Sequence, residues 1–371
     1  MNKGIVKKTV ACMLAITTIG CTTKEKTKVT KADTNAKTTT TTKKAAKTTE
    51  SVPKDVYVKV SAAGDCTLAK TQNSSYAGSF LQKYDQKGPK YFFSNVKSTF
   101  AKDDLTLVNF EGTLTYSNNR MVKAFNFKAP PKYLKILQYG GVDAVAFANN
   151  HCKDYGQQSY TDTIKTFKKY KMPYSSFGSV GVYKTKGMKI GMVAVDFNAG
   201  MSFGQMKDAR RLVASGCKKL KAKKVNAIIV SMHGGVEGSH SVRGDQISLG
   251  HYAVDQGADL VIGTHPHVLE GIERYKGAYI AYSLGNFCFG GNHNPRDKDT
   301  AILQKTLHFK NGKLVRDQQL KIIPCSISSV SYTNDYKPTI VSGARRTRII
   351  NNMNSYSRRF KVSFNSAGNA K

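Results

Sequence analysis

The sequence predicts a layered α/β domain. Two observations carry that reading. Between about residues 55 and 335, short apolar runs that read as strands alternate with amphipathic runs that read as helices, the pattern of strands covered by helices. Five of those strands end in a small residue beside a side chain of metal-ligand type, and ligands in open α/β sheets bind beyond the carboxyl ends of the strands. The 371-residue length allows one large domain or two, with a sizeable core.

The chain opens with Lys3, Lys7 and Lys8, followed by an apolar run from Val10 to Ile19 and then Gly20-Cys21. The run has the length of a signal h-region and is too short to span a membrane comfortably. Residues 1–21 therefore read as a lipoprotein signal with lipidation at Cys21. Thr18 departs from the Leu usual in such a motif, and the alternative is an uncleaved anchor helix. Either reading puts the remainder on the extracytoplasmic face of the cell membrane. Residues 22–54 are mainly Lys, Thr and Ala and lack the apolar surface to offset the entropy of ordering. They read as a disordered tether.

The net charge of +34 favours polyanionic neighbours such as anionic lipid, wall polymer or an acidic substrate. No zinc knuckle, helix-turn-helix signature or RNP aromatic pattern is present, so nucleic acid is not the expected partner. The seven cysteines show no paired spacing and read as isolated buried thiols, not a disulfide framework.

Within the folded part, Val56, Val58 and Val60 alternate with polar residues and mark a strand running to Ala63-Gly64-Asp65. Leu105 to Val108 is a second strand, ending at Asn109-Phe110-Glu111-Gly112. Residues 131–139 read as a helix, Val142 to Phe147 as a strand ending at Asn149-Asn150-His151, and 157–170 as a helix. Met188 to Val195 is a strand, and 206–223 a Lys/Arg-rich helix. Ala227 to Ser231 is a strand ending at His233-Gly234-Gly235, and 246–256 a helix. Leu260 to Ile262 is a buried strand followed by Gly263-Thr264-His265-Pro266-His267. Strands follow at 279–283 and 301–309, and Asn311-Gly312 signals a hairpin into 314–323. Residues 336–371 form a basic tail whose order the sequence leaves open.

The strand tips offer Asp65; Glu111; Asn150 with His151; His233; and His265 with His267. Residues i and i+2 of an extended segment point the same way, so the last pair can reach one point. Carboxylate, amide and imidazole together suit one or two of Mn, Fe or Zn better than Ca. Two such ions would activate a phosphate ester toward hydrolysis, and a nearby imidazolium would protonate the leaving oxygen. His251, His293 and His308 lie outside these motifs and read as helix-face, loop and strand residues; His240, near the fourth block, reads as another such residue or as one that lines the site.

The ordered blocks Gly64-Asp65, Asn109-Phe110-Glu111-Gly112, Asn149-Asn150-His151 with Asp154-Tyr155-Gly156, His233-Gly234-Gly235-Val236-Glu237, Gly263-Thr264-His265-Pro266-His267-Val268 and Tyr282-Ser283-Leu284-Gly285-Asn286-Phe287 closely resemble the CapA family. These are bacterial poly-γ-glutamate capsule proteins, similar in turn to calcineurin-type metallophosphoesterases. The resemblance covers about residues 55–325 and implies a four-layer α/β/β/α sandwich with its site at the strand tips. It implies that Asp65 and His267 bind a first metal, that Glu111 bridges, and that Asn150, His233 and His265 bind a second. His151 matches the leaving-group acid. Glu237 and Asn286 stand in family motifs as substrate or supporting contacts.

Two departures matter. Thr67 stands where the superfamily has a His, leaving one metal site an imidazole short. Gly234 stands where such chains usually carry Trp, which is expected to empty one side of the pocket. Three functions follow as expectations. The first is a membrane-tethered accessory of anionic polymer synthesis or export, with poly-γ-glutamate or a wall polymer and capsule synthetase subunits as partners. The second is a metal-dependent phosphoesterase acting outside the cytoplasm. The third is a non-catalytic polyanion-binding lipoprotein.

Overall fold

A computed structural model describes residues 54–198, 206–317 and 319–371. The export signal, Cys21 and the tether up to residue 53 lie outside the described residues. Among the described residues no helix is long and apolar enough to cross a membrane.

Two sheets organise the domain. The larger has nine strands among the described residues and is built around the long Asp55–Thr67 strand. That strand pairs in parallel with Leu105–Phe110, which pairs in parallel with Ala144–Ala146. On its other side it pairs antiparallel with Asp299–Lys310. The smaller sheet has six strands, with Met188–Asp196, Ala227–His233, Leu260–Thr264 and Ala278–Ala281 running parallel. Val56, Val58 and Val60 are buried in alternation with more exposed neighbours, whereas Leu105–Phe110, Ala227–His233 and Leu260–Thr264 are buried on both faces.

The core lies in three layers. Val58, Val60, Leu105 and Leu303 of the larger sheet pack with Ile190, Ile229 and Ile262 of the smaller one. Behind the larger sheet, Phe80, Leu134, Leu137 and Phe167 come from helices and loops on its outer face. Behind the smaller sheet, Val213, Leu220, Leu249 and Ala253 come from the Met206–Ala222 and Gly244–Asp255 helices. The order is helix, sheet, sheet, helix, so the four-layer α/β/β/α sandwich is present.

Element ends differ from the sequence reading in ways that have physical causes. The first strand continues past Asp65 to Thr67, because the chain steps over a bulge between Ala63 and Asp65 and then resumes pairing with Asn109 and Phe110. The apolar stretch 314–323 is two strands, Lys313–Val315 and Leu320–Ser326. The Phe80–Lys87 helix was not legible, since its stripe is only Phe80 and Tyr84.

The region after 335 is packed. A helix spans Gly343–Ser357 and buries Ile349, Ile350 and Met353 against the inter-sheet core. Arg345 and Arg348 fasten it to the nearly buried Asp299 carboxylate at 2.9 Å each. Its apolar stripe is narrow among Arg and Asn, so periodicity gave little warning of it.

A candidate metal centre where the two sheets meet

Two glycines let the backbone close over the site. A Cβ at Gly64 would lie 1.8 Å from the Gly285 carbonyl oxygen, and one at Gly263 would lie 1.9 Å from that of Tyr282. Only a residue without a side chain tolerates either approach. The segment concerned, Tyr282 to Gly285, leaves the smaller sheet after Ala281 and enters the larger as Asn286–Phe289, parallel to the first strand. It crosses both sets of strand tips. Asp65 N–H donates to Gly285 O at 3.0 Å, and Leu284 N–H donates to Gly263 O at 3.3 Å.

The tip residues converge beneath that crossover. Asp65 and Glu111 are both fully buried. Glu111 Oε1 has no hydrogen-bond partner, although it is enclosed. It faces three imidazoles, with His233 Nε2 at 3.7 Å and His151 Nε2 and His267 Nε2 each at 4.0 Å. Ligand atoms held at about 2.1 Å from one ion lie roughly 3–4 Å apart, so this gap has the size of a coordinated cation. Glu111, His265 and His267 each place one ligand atom within 4.8 Å of the others. The donor set therefore fits a divalent ion.

The remaining predicted residues belong to the same cluster. His233 Nε2 lies 3.0 Å from Asn150 Oδ1, and His265 Nδ1 lies 3.2 Å from His233 Nε2. His267 Nδ1 lies 3.3 Å from Asp65 Oδ2 and 2.9 Å from Asn286 Oδ1. His265 and His267 adopt φ of 102° and 60°, left-handed values that ordinary residues avoid. Such conformations persist when the surroundings over-determine them, commonly at functional sites. Glu237 is exposed at the mouth of the adjoining cavity.

The charges are arranged as a cation site would require. Burial, with the Asp65 charge beside it, pushes Glu111 up to about 8. Burial disfavours the His267 imidazolium, but Glu111 and Asp65 outweigh it and raise that group to about 10. A proton on His267 thus offsets part of the carboxylate charge. The deeper rings cannot share that role. Burial and then the His267 charge bring His265 down to about 3, and burial followed by His265 holds His233 well below its ordinary value.

His151 is held differently. Its Nδ1 lies 2.8 Å from Asp154 Oδ2, and Lys123 Nζ lies 2.5 Å from Asp154 Oδ1. Lys123 also donates to the Asn150 carbonyl at 2.9 Å. Asp154 accepts the Phe127 N–H at 2.5 Å, which fixes the carboxylate against the backbone. Burial lowers His151, with Asp154 working against that effect.

Both departures have structural answers. Thr67 donates its hydroxyl to Glu111 Oε2 at 3.2 Å, satisfying the carboxylate oxygen that does not face the imidazoles. At Gly234 the expectation of an emptied pocket side fails. A Cβ there would meet the Phe197 ring at 2.7 Å, so Phe197 fills that space from the neighbouring strand end.

Several residues of the site carried no role in the sequence reading. Asn109 donates to Asp65 Oδ1 at 2.7 Å, and Asn149 donates to the Phe110 carbonyl at 2.8 Å. Asn198 Nδ2 sits 2.7 Å from His265 Nε2, and Thr264 Oγ1 sits 2.9 Å from His233 Nδ1. Asp196, paired in register with His233, is buried with Oδ2 unpartnered, and burial raises it to about 7. Asn109 and Asn149 lie inside the quoted motifs, so their presence was visible. Asp196 and Asn198 had no signal beyond their place at a strand end. The five described cysteines are free and buried, and Cys152 Sγ lies beneath Asn149. His251 stacks on Tyr275 and His240 on Tyr356, away from the centre.

Comparison with known proteins identifies the family. A model of the bacterial capsule synthesis protein PGA_cap family matches residues 59–291. The chain is 31% identical over 252 residues to the PGA biosynthesis protein CapA of Bacillus subtilis, covering 63% of this chain and 66% of that protein. It is 28% identical over 266 residues to the capsule biosynthesis protein CapA of Bacillus anthracis, covering 66% and 63%. It thus spans just under two thirds of the length of those relatives. Among solved structures, a 5'-nucleotidase from Candida albicans aligns with a TM-score of 0.43 and 11% identity, over 83% of this chain and 59% of that one. The match over residues 59–291 places the chain in the bacterial capsule synthesis protein PGA_cap family.

Proposed function

From that family membership we propose that the protein is an extracytoplasmic accessory of poly-γ-glutamate synthesis or export, anchored by its N-terminus and holding one or two divalent ions at the strand tips. The observation that carries the metal part is the enclosed, unpartnered Glu111 Oε1 facing three imidazoles. Asp65, Glu111, Asn150, His233, His265 and His267 are the residues that would hold Mn, Fe or Zn. A bound ion would supply Lewis acidity toward a carboxylate or phosphoryl oxygen of the ligand. The chain's own groups do the rest. Asn109, Thr264 and Asn198 set the ring and carboxylate orientations. His151 turns its Nε2 toward Glu111 and the pocket, while Asp154, itself paired with Lys123, holds its Nδ1.

The basic balance of the chain supports an acidic polymer as partner, with synthetase subunits beside it. A specific observation also favours a second reading, a metal-dependent phosphoesterase. The Lys123–Asp154–His151 chain orients an imidazole as a general acid is oriented. The two readings separate on the purified protein. The first predicts bound Mn, Fe or Zn by elemental analysis, salt-dependent binding of poly-γ-glutamate and no turnover of an aryl phosphate. Turnover lost in His151→Ala would replace it with the second. Absence of metal from wild type would remove both. Cys21→Ser tests the anchor: release from membranes is expected, and unchanged retention would favour an uncleaved helix.

A further inference from the structure

The cavity beside the metal residues does not end there. It has a volume of about 340 Å³ and is walled by Phe125, Phe127, His151, Glu237, His267 and Phe289, among others. A second cavity of about 380 Å³ adjoins it, and Phe125, Gly291 and Asn292 wall both. Each has the size of a small-molecule site.

Their chemistry differs. The outer cavity presents His293 and the hydroxyl-bearing Thr71, Ser74, Ser75 and Ser79, with no acidic side chain in its wall; Lys70 adds positive charge there, its Nζ held by the Ser74, Thr71 and Gln72 carbonyls at 2.7, 3.1 and 3.4 Å. That lining suits carboxylates. The inner cavity has one exposed carboxylate, Glu237, at its mouth. Its side chain makes no hydrogen bond or ion pair among the described residues, in a chain with 58 Lys and Arg against 24 Asp and Glu. An unpaired acid beside a cation site repels a phosphate ester and attracts an ammonium group. Phe125, 55% exposed, with Phe127 and Phe289, adds ring faces that favour both methylene packing and a cation.

The shared wall is tied down by side-chain amides. Asn334 Nδ2 donates to the carbonyls of Phe289 and Asn292 at 2.8 and 3.0 Å. Asn126 Nδ2 donates to those of Met121 and Asp154, both at 3.2 Å, and so fixes the segment that carries Phe125. A preformed cleft loses less freedom on binding.

We propose that the two cavities form one cleft for the amino-terminal end of an anionic polyamide, its terminal ammonium at Glu237, its first units at the metal residues and later carboxylates in the outer cavity. This rests on the polymer reading above and adds a direction to it: the chain end, not an interior segment, is recognised.

The test uses the full chain loaded with Mn and γ-linked glutamate oligomers of two to ten units, with free or acetylated amino ends, followed by calorimetry. For wild type, affinity rises with length until the cleft is full, and acetylation weakens binding about tenfold or more. In Glu237→Gln, free and acetylated oligomers bind alike, and both match acetylated oligomers on wild type. Phe125→Ala removes most of the gain from the later units. Glu237 is exposed, so an unchanged melting temperature will show that its variant is folded. Oligomers that bind wild type equally with free or blocked ends overturn the direction alone. So does tighter binding of free-ended oligomers to Glu237→Gln, which would make Glu237 a simple repeller. No binding at any length overturns the polymer reading and this inference with it.

Discussion

The two sheets contribute different chemistry to one site. The larger supplies acids and amides: Asp65, Glu111, Asn109, Asn150 and Asn286. The smaller supplies the imidazoles His233, His265 and His267, with Asp196 and Asn198 behind them. Neither sheet holds a balanced set alone. The acids without the rings would be two buried carboxylates side by side, which repel. The rings without those acids would be three imidazoles tilted against one another, with only the burial-raised Asp196 of their own sheet nearby. The site therefore exists only while the sheets stay face to face, and the Tyr282–Gly285 crossover is the covalent tie that keeps their tips in register. His151 is the exception, an imidazole from the larger sheet's side held by its own carboxylate.

The strongest way to break this comparison is to remove one contributor from each sheet. Glu111→Gln and His267→Ala should each lower metal affinity by about a hundredfold or more, since each deletes a ligand atom from an enclosed set. Elemental analysis after gel filtration reads the loss. Equal retention in both variants would mean that the sheets do not share an ion.

Acidity sharpens the same point with a smaller effect. In the metal-free site His267 is held up to about 10 and Glu111 up to about 8, so an incoming cation must displace protons. Metal affinity should rise with pH between 6 and 8, by about tenfold per unit for each proton released. Calorimetry in buffers of different ionisation enthalpy counts the protons. A flat profile would place the ion away from these groups.

Packing behind the rings gives a third test. Gly234→Ala places a Cβ 2.7 Å from Phe197, and the overlap should cost about 1–3 kcal/mol in denaturant unfolding. Adding Phe197→Ala should recover part of that loss, while either change in the smaller sheet shifts His233 and weakens metal binding.

The test most remote from the metal concerns Glu270, which lies in the smaller sheet's loop beyond the imidazole pair. It is fully buried, accepts a bond from Gln246 Nε2 at 2.6 Å, and is raised by burial to about 7 from an ordinary 4.5. A raised carboxyl favours the folded state below its unfolded value and loses that contribution as pH rises through the folded one. Stability should therefore decline from about pH 4.5 to 7, and Glu270→Gln should flatten that limb. Thermal melts across the range will read it.

Much of this site was legible as sequence because strands announce themselves by alternation and the ligands sit where strands stop. Gly64-Asp65 and Gly263-Thr264-His265 were readable for that reason. The supporting bonds were not. Asn109 reaches Asp65 across 44 positions and Asn198 reaches His265 across 67, and no local pattern encodes such pairs. Phe197 against Gly234 was invisible for the same cause: a missing side chain on one strand is compensated by a ring on the next. The Gly343–Ser357 helix stayed hidden because three buried apolar residues among many polar ones make too narrow a stripe.

The most direct test is an anomalous diffraction map from crystals of the protein soaked in Mn²⁺. A peak within about 2.5 Å of Glu111 Oε1 and of at least two of the His233, His265 and His267 ring nitrogens is the predicted result. Fully ordered rings and carboxylates with no peak between them, in crystals whose other sites take up the ion, would contradict the account.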